Sequence, residues 1–195
     1  MNISKAKEYI TRRMKDEGSL DYHYHNIDHT LDVWRSAIRL CRMEHISEKD
    51  QLLIETATLY HDIGMLIDYR EHEKASAEIA RASLPDFDYT PEDIEIISEM
   101  IMTTKLPQSA RTLNEMIICD ADLDYLGRDD FFIIAQRLRY EWNILSVKTT
   151  TLKQWYELQV SFMEEHEFFT EAARILRDEG KANNLRQIKD LLNHD

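Results

Sequence analysis

The chain has 195 residues, of which 43% are apolar and 31% charged, enough for one substantial core and most simply one globular domain over 1–195. Its 24 Lys and Arg against 37 Asp and Glu leave a formal net charge of −13, which would repel a long polyanion and argues against extended DNA or RNA as a partner. A small nucleotide met by a local positive centre is compatible with that charge, and a bound metal would be such a centre.

The first residues, "MNISKAKEYI", place two lysines where a secretory signal needs its apolar region, and no run approaches the roughly 18 apolar residues of a membrane span. A soluble, cytoplasmic protein with no membrane partner is expected. Four glycines, three prolines and long stretches of 3.6-type periodicity predict an all-α chain. A first helix should run from an N-cap at Ser4 to a stop at Gly18. A second follows "YHNIDH", with Ile27, Leu31, Trp34, Ile38 and Cys41 as its apolar stripe and His29 beside it. Ser47 with Asp50 resembles a capping box and opens a third helix through Leu53, Ala57 and Tyr60. His61, four residues after Ala57, falls on its inward stripe.

A fourth helix, about Glu71 to Leu84, carries His72, Ser76, Ile79 and Ser83 on one face before Pro85. Thr90-Pro91 starts a fifth that runs to Thr104, with Pro107 beyond it. A sixth covers about Thr112 to Leu126 with Gly127 as its stop, and a seventh covers Asp130 to Leu145, with Asp129 and Asp130 expected to cap it. Thr151 and Thr170 are candidate caps for two more, the last broken at Gly180. Cys41 and Cys119 show neither disulfide nor zinc-ribbon spacing, so both are expected as buried free thiols.

The segment "TLYHDIGML" sets His61 and Asp62 side by side at the end of an apolar run. Burying polar groups without partners costs on the order of 2–7 kcal/mol each, and more for a charge, so a partner is required. His29, His61, Asp62, His72 and Asp122 all fall on or beside inward helix faces. Imidazoles and carboxylates converging without sulfur suit a divalent cation of intermediate softness. Gly64 is expected to permit the turn that lets neighbouring residues aim at one ion.

The segments "YHNIDHTLDV", "LYHDIG" and "CDADLDYLG" together resemble the HD superfamily of metal-dependent phosphohydrolases and its H…HD…D motif. The spacing is 32 residues from the first His to the second and 60 from Asp62 to Asp122. The resemblance covers about residues 22–127 and implies an all-α HD-type bundle, with 128–195 as a helical extension of which part covers the metal pocket. It implies His29, His61, Asp62 and Asp122 as ligands of one divalent ion (Mn, Fe, Co, Ni, Mg or Zn). Asp120 competes for the distal position, but the family's "AD" pattern favours Asp122. The implied activity is hydrolysis of a phosphomonoester or phosphodiester, most often of a nucleotide, by metal-activated water.

Asp62 could also accept the water's proton, and His72 could serve as general acid or base or as a phosphate contact. Lys105 and Arg128 are candidates to neutralise the substrate phosphate, with solvated surface residues as the alternative for each. His23 and His25 are read as orienting or structural histidines. Trp142, Trp155, Phe162 and Phe168 are read as packing rather than as a base-stacking platform, and Asp124 as a solvated or helix-packing carboxylate. Two other readings stay open. One is a dinuclear iron oxygenase, which needs further histidines where only His72 is available. The other is a non-catalytic metal- or nucleotide-binding sensor. A homodimer is the base-rate expectation for a soluble enzyme of this size.

Overall fold

A computed structural model describes residues 1–193, and these are all helix, turn and loop with no strand. The α-helices are α1 (Ile3–Glu17), α2 (Ile27–Met43), α3 (Glu48–Tyr60), α4 (His72–Ser83), α5 (Pro91–Thr103), α6 (Leu113–Asp122), α7 (Phe131–Ile144), α8 (Leu152–Glu165) and α9 (Glu171–Asn193). Tight 3₁₀ turns at Ile63–Leu66, Leu84–Phe87 and Asp124–Gly127 follow α3, α4 and α6. No helix is long and apolar enough to cross a membrane among the described residues.

The bundle is organised on α3, which packs against α1, α2, α5 and α6. Every residue from Leu53 to Tyr60 is buried. A helix covered on all sides is a core helix rather than an amphipathic surface one, and its end delivers His61 and Asp62 into the interior. The caps follow the expected chemistry at most sites. Thr90 with Asp93 and Thr112 with Glu115 form reciprocal capping boxes on α5 and α6, as does Thr151 with Gln154 on α8. The Thr170 hydroxyl accepts the Ala173 N–H at 3.1 Å and starts α9.

Several expectations are corrected. Helix α1 is capped by Asn2, which accepts from Lys5 N at 3.2 Å, rather than by Ser4. On α2 the buried stripe is Thr30, Val33, Ala37 and Leu40, rotated from the one expected, because Ile27, Leu31 and Trp34 pack only partly against the core. His29 lies four residues before Val33 and is therefore on the true inward stripe. Helix α6 stops at Asp122, and a 3₁₀ turn occupies the stretch expected to complete it. Helix α9 runs unbroken through Gly180, which is needed for contact instead: a Cβ there would stand 2.1 Å from the Gly127 carbonyl oxygen.

The segment after 128 is tied to the core by buried polar groups. Asp120 accepts the Phe169 and Thr170 N–H groups at 2.8 Å each and the Thr170 hydroxyl at 2.7 Å, so it caps α9 from a distance. Asp124 is buried rather than solvated and receives Arg177 Nε at 2.7 Å and Arg39 Nη2 at 3.0 Å. Cys41 and Cys119 are free and buried, and burial pushes both thiols up to about 12.

Candidate metal centre

At the end of α3, His61 still has right-handed helical backbone while Asp62 sits at φ −108° and ψ 0°, the sparsely populated bridge region. That change of direction lets adjacent side chains face one point, which a continuing helix would forbid. Gly64 makes the turn fit, though not by a left-handed φ. A Cβ at this position would lie 2.0 Å from the His72 carbonyl oxygen and 2.6 Å from Ser76 N, and the Gly64 N–H donates to Ser76 Oγ at 2.8 Å. The start of α4 is thereby drawn against the site.

Four side chains meet there. His29 Nε2 is 3.4 Å from Asp62 Oδ2 and 3.3 Å from Asp122 Oδ1. His61 Nε2 is 3.2 Å and 3.4 Å from the same two oxygens. Donors held about 2.0–2.2 Å from one ion stand roughly 3–3.5 Å from their neighbours. His29 Nε2, His61 Nε2 and Asp62 Oδ2 are buried and have no hydrogen-bond partner. Buried polar atoms in folded proteins are ordinarily paired, so three orphans at one point, with both imidazole nitrogens 3.2–3.4 Å from Asp62 Oδ2, fit a cation. His61 Nδ1 donates to the Thr58 carbonyl at 2.8 Å, which turns Nε2 toward the site, the usual support of a ligating imidazole. Asn26 caps α2, accepting from Asp28 N and His29 N at 2.9 and 3.2 Å, and so fixes the turn that carries His29.

The carboxylates set the charge of the site. Burial pulls the His29 imidazole down, but Asp122 and Asp62 outweigh burial and lift it to about 9. For Asp122, burial raises the carboxyl while His29 and His61 bring it down to about 2. A cation bound here would compete with protons for these imidazoles.

A cavity of about 450 Å³ opens on the cluster, with Asp62 and Asp122 in its wall. His72 lines it; its Nδ1 donates to the Tyr69 carbonyl at 3.1 Å, and its Nε2 lies 3.5 Å from Asp62 Oδ1 and 3.4 Å from Glu73 Oε1. His25 lines it too. The buried Glu141 carboxylate on α7 binds His25 Nδ1 and accepts the Tyr69 hydroxyl at 2.8 Å, Tyr24 N at 2.7 Å and His25 N at 3.0 Å. Burial raises the Glu141 carboxyl, yet His25 and these donors more than offset it and hold it below the ordinary value. His23 is elsewhere, edge-on to Tyr140.

The remaining expected residues divide. Lys105 lines the cavity, but its ammonium is paired with Glu71 at 2.8 Å. Arg128 is not in that cavity; it borders a second hollow of about 300 Å³ on the other side of Tyr24 and Asp122. There it binds Asp32 at 2.5 Å and Asp130 at 2.6 Å, so the Asp130 carboxylate serves Arg128 and makes no side-chain cap on α7. Arg70 and Lys148 are exposed and line the main cavity, and neither was singled out, because an isolated surface cation carries no pattern in the sequence. Glu141 was missed for a like reason, since nothing near it in sequence marks a carboxylate that is to be buried. Trp155 and Phe168 are buried core residues as expected, Trp142 and Phe162 are half-buried, and Trp142, Trp155 and Phe162 wall the cavity.

An all-helical bundle thus brings two histidines and two aspartates together from α2, the end of α3 and the end of α6, and His29, His61 and Asp122 each place one donor atom within 4.8 Å of the others, a spacing that could hold a metal ion. The HD domain family model matches residues 26–124, about half of the chain, and the chain belongs to that family. An uncharacterized protein of Clostridium beijerinckii is 35% identical over 105 residues, 52% of this chain; the match spans 66% of that relative's length. The crystal structure of a predicted HD superfamily hydrolase from an uncultured Thermotogales bacterium superposes with a TM-score of 0.64. It is 21% identical, with 98% of this chain and 91% of that chain covered, and shares the fold.

Proposed function

We propose that the protein is a metal-dependent phosphohydrolase that cleaves a phosphomonoester or phosphodiester of a small substrate, a nucleotide being the preferred class. The observation that carries this reading is the set of orphaned buried atoms, His29 Nε2, His61 Nε2 and Asp62 Oδ2, beside a cavity large enough for a small ligand whose wall includes Asp62 and Asp122. His29, His61, Asp62 and Asp122 would hold one divalent ion. Bound there, the ion supplies Lewis acidity toward a phosphoryl oxygen and lowers the pKa of water.

This chain's own groups do the rest. Asp62 Oδ1 faces His72 Nε2 at 3.5 Å, so a proton taken from the attacking water at Asp62 has a short path to His72 and on to the leaving oxygen. His72 is held for that task by Tyr69 and Glu73. Arg70 and Lys148 offset the charge of the phosphate in a chain that is strongly acidic overall. The test is elemental analysis of protein purified without a chelating tag, beside Asp62→Ala, followed by hydrolysis assays on phosphate esters. About one divalent ion per chain, lost in the variant together with hydrolysis, supports the reading. Hydrolysis retained by rigorously purified Asp62→Ala overturns it, as do two irons per chain with oxygen consumption.

A further inference from the structure

One helix of the carboxy-terminal extension presents a polar pair that the metal chemistry does not use. Trp155 and Gln159 lie four residues apart on α8, so their side chains stack along one face. Both wall the cavity that opens on the metal cluster. Trp155 is 0% and Gln159 6% exposed. Trp155 Nε1 and Gln159 Oε1 nevertheless have no hydrogen-bond partner. An unpaired buried donor and an unpaired buried acceptor each cost about 1–3 kcal/mol, and a buried indole N–H is ordinarily satisfied.

The neighbouring indole of Trp142 meets Trp155 edge to face at 5.5 Å between ring centres. The surroundings of the pair are apolar, with Leu138, Leu158, Phe162 and the Trp142 ring on the same cavity. Wall and pair together match a flat heterocycle that shows an acceptor beside a donor along one edge. Every nucleobase presents such an edge, and a bare sugar phosphate does not.

We infer that Trp155 and Gln159 form the base-reading end of this cavity, so that the substrate is a nucleoside monophosphate with its base against α8 and its phosphate toward Asp62 and Asp122. The inference rests on the phosphohydrolase reading for the phosphate end only. The indole N–H donates to a ring nitrogen or carbonyl of the base, and Gln159 Oε1 accepts from the adjacent N–H. A site that hydrogen-bonds its substrate in this way discriminates strongly against analogues lacking the group.

The test compares metal-loaded parent protein with Trp155→Phe, which keeps a ring and removes the donor, and Gln159→Leu, which removes the acceptor. Each is assayed on the 5′-monophosphates of uridine, inosine, adenosine and cytidine, on ribose 5-phosphate and on p-nitrophenyl phosphate. The parent should favour at least one nucleotide over ribose 5-phosphate. Each variant should lose about tenfold or more in kcat/KM on that nucleotide, mainly through KM, with p-nitrophenyl phosphate changed by less than about twofold. Gln159→Leu carries the test alone if circular dichroism shows that Trp155→Phe does not fold. Equal losses on all substrates, or no preference for a nucleotide, overturn the inference while leaving the phosphohydrolase reading intact. If no phosphate ester is cleaved, that reading falls, and titration of tryptophan fluorescence with the four unphosphorylated nucleosides decides the inference by itself. Saturable binding to the parent that weakens about tenfold in the variants supports it, and no binding overturns it.

Discussion

The extension builds part of the site through one buried carboxylate, and replacing Glu141 by Gln tests how much depends on it. Glu141 is 0% exposed and holds four donors: Tyr24 N, His25 N, His25 Nδ1 and the Tyr69 hydroxyl. Glutamine keeps the shape and one acceptor oxygen but turns an amide NH₂ toward two of those donors. Two charge-assisted bonds are then lost, at roughly 1.5–3 kcal/mol each, for a total of about 3–6 kcal/mol. That is a large share of the ~5–15 kcal/mol by which a domain is stable, and at ~2–4 °C per kcal/mol it corresponds to a fall of about 6 °C or more in Tm. Thermal and urea unfolding should be followed by circular dichroism with a chelator present, so that metal binding does not hide the loss. The parallel change Glu17→Gln, in an exposed ion pair with Arg13, should leave the midpoint where it is. A loss at Glu141 below about 1 kcal/mol would refute the claim that this carboxylate clamps the 22–25 loop to α7.

Gly64→Ala should abolish metal binding and lower stability by several kcal/mol, because the new Cβ would meet the His72 carbonyl oxygen at 2.0 Å; a variant with parental Tm and metal content would contradict the close approach of the turn to α4. Metal uptake should release protons and weaken as pH falls below about 9, the value to which Asp122 and Asp62 lift His29 against burial. Calorimetry of metal binding at pH 7 in two buffers of different ionisation heat reads the number released, and zero would be the contrary result. Burial, with Lys181 beside it, holds His166 down to about 4. Its folded value is below the unfolded one, so it contributes stability above about pH 6.5 that is lost as pH falls toward 4, with a slope of at most about 1.4 kcal/mol per unit. His166→Gln should flatten urea midpoints measured across that window, and an unchanged slope would remove His166 as the cause.

The candidate metal ligands are legible in sequence because three separate segments carry them, and the structure brings those segments together at 3.2–3.4 Å. His29 shows the limit of periodicity. Two candidate apolar stripes run along α2, and only packing against α3 and α6 decides that the Val33 and Ala37 side faces inward. Gly180 shows another limit, since a glycine inside a helical pattern reads as a break when the partner that needs its small size, Gly127, lies far away in sequence. The roles of Arg128 and Asp130 were opaque for the same reason: their partners, Asp32 and each other, are fixed by a hollow that no local pattern encodes.

A division of labour follows from where the polar groups sit. The core from α2 to α6 supplies the four candidate metal ligands, and three of them are positioned locally: His29 by the Asn26 cap, His61 by the Thr58 carbonyl and Asp62 by the turn at Gly64. Among the described residues the extension supplies no candidate ligand but walls the cavity, orients His25 through Glu141, and is itself held by Asp120 and Asp124, which flank the candidate ligand Asp122 in sequence. Alternate residues of "CDADLD" thus face the extension, the candidate metal centre and the extension again. Loosening α9 should therefore disturb Asp122 before it disturbs His29 or His61, and the centre would lose its fourth ligand while keeping the other three.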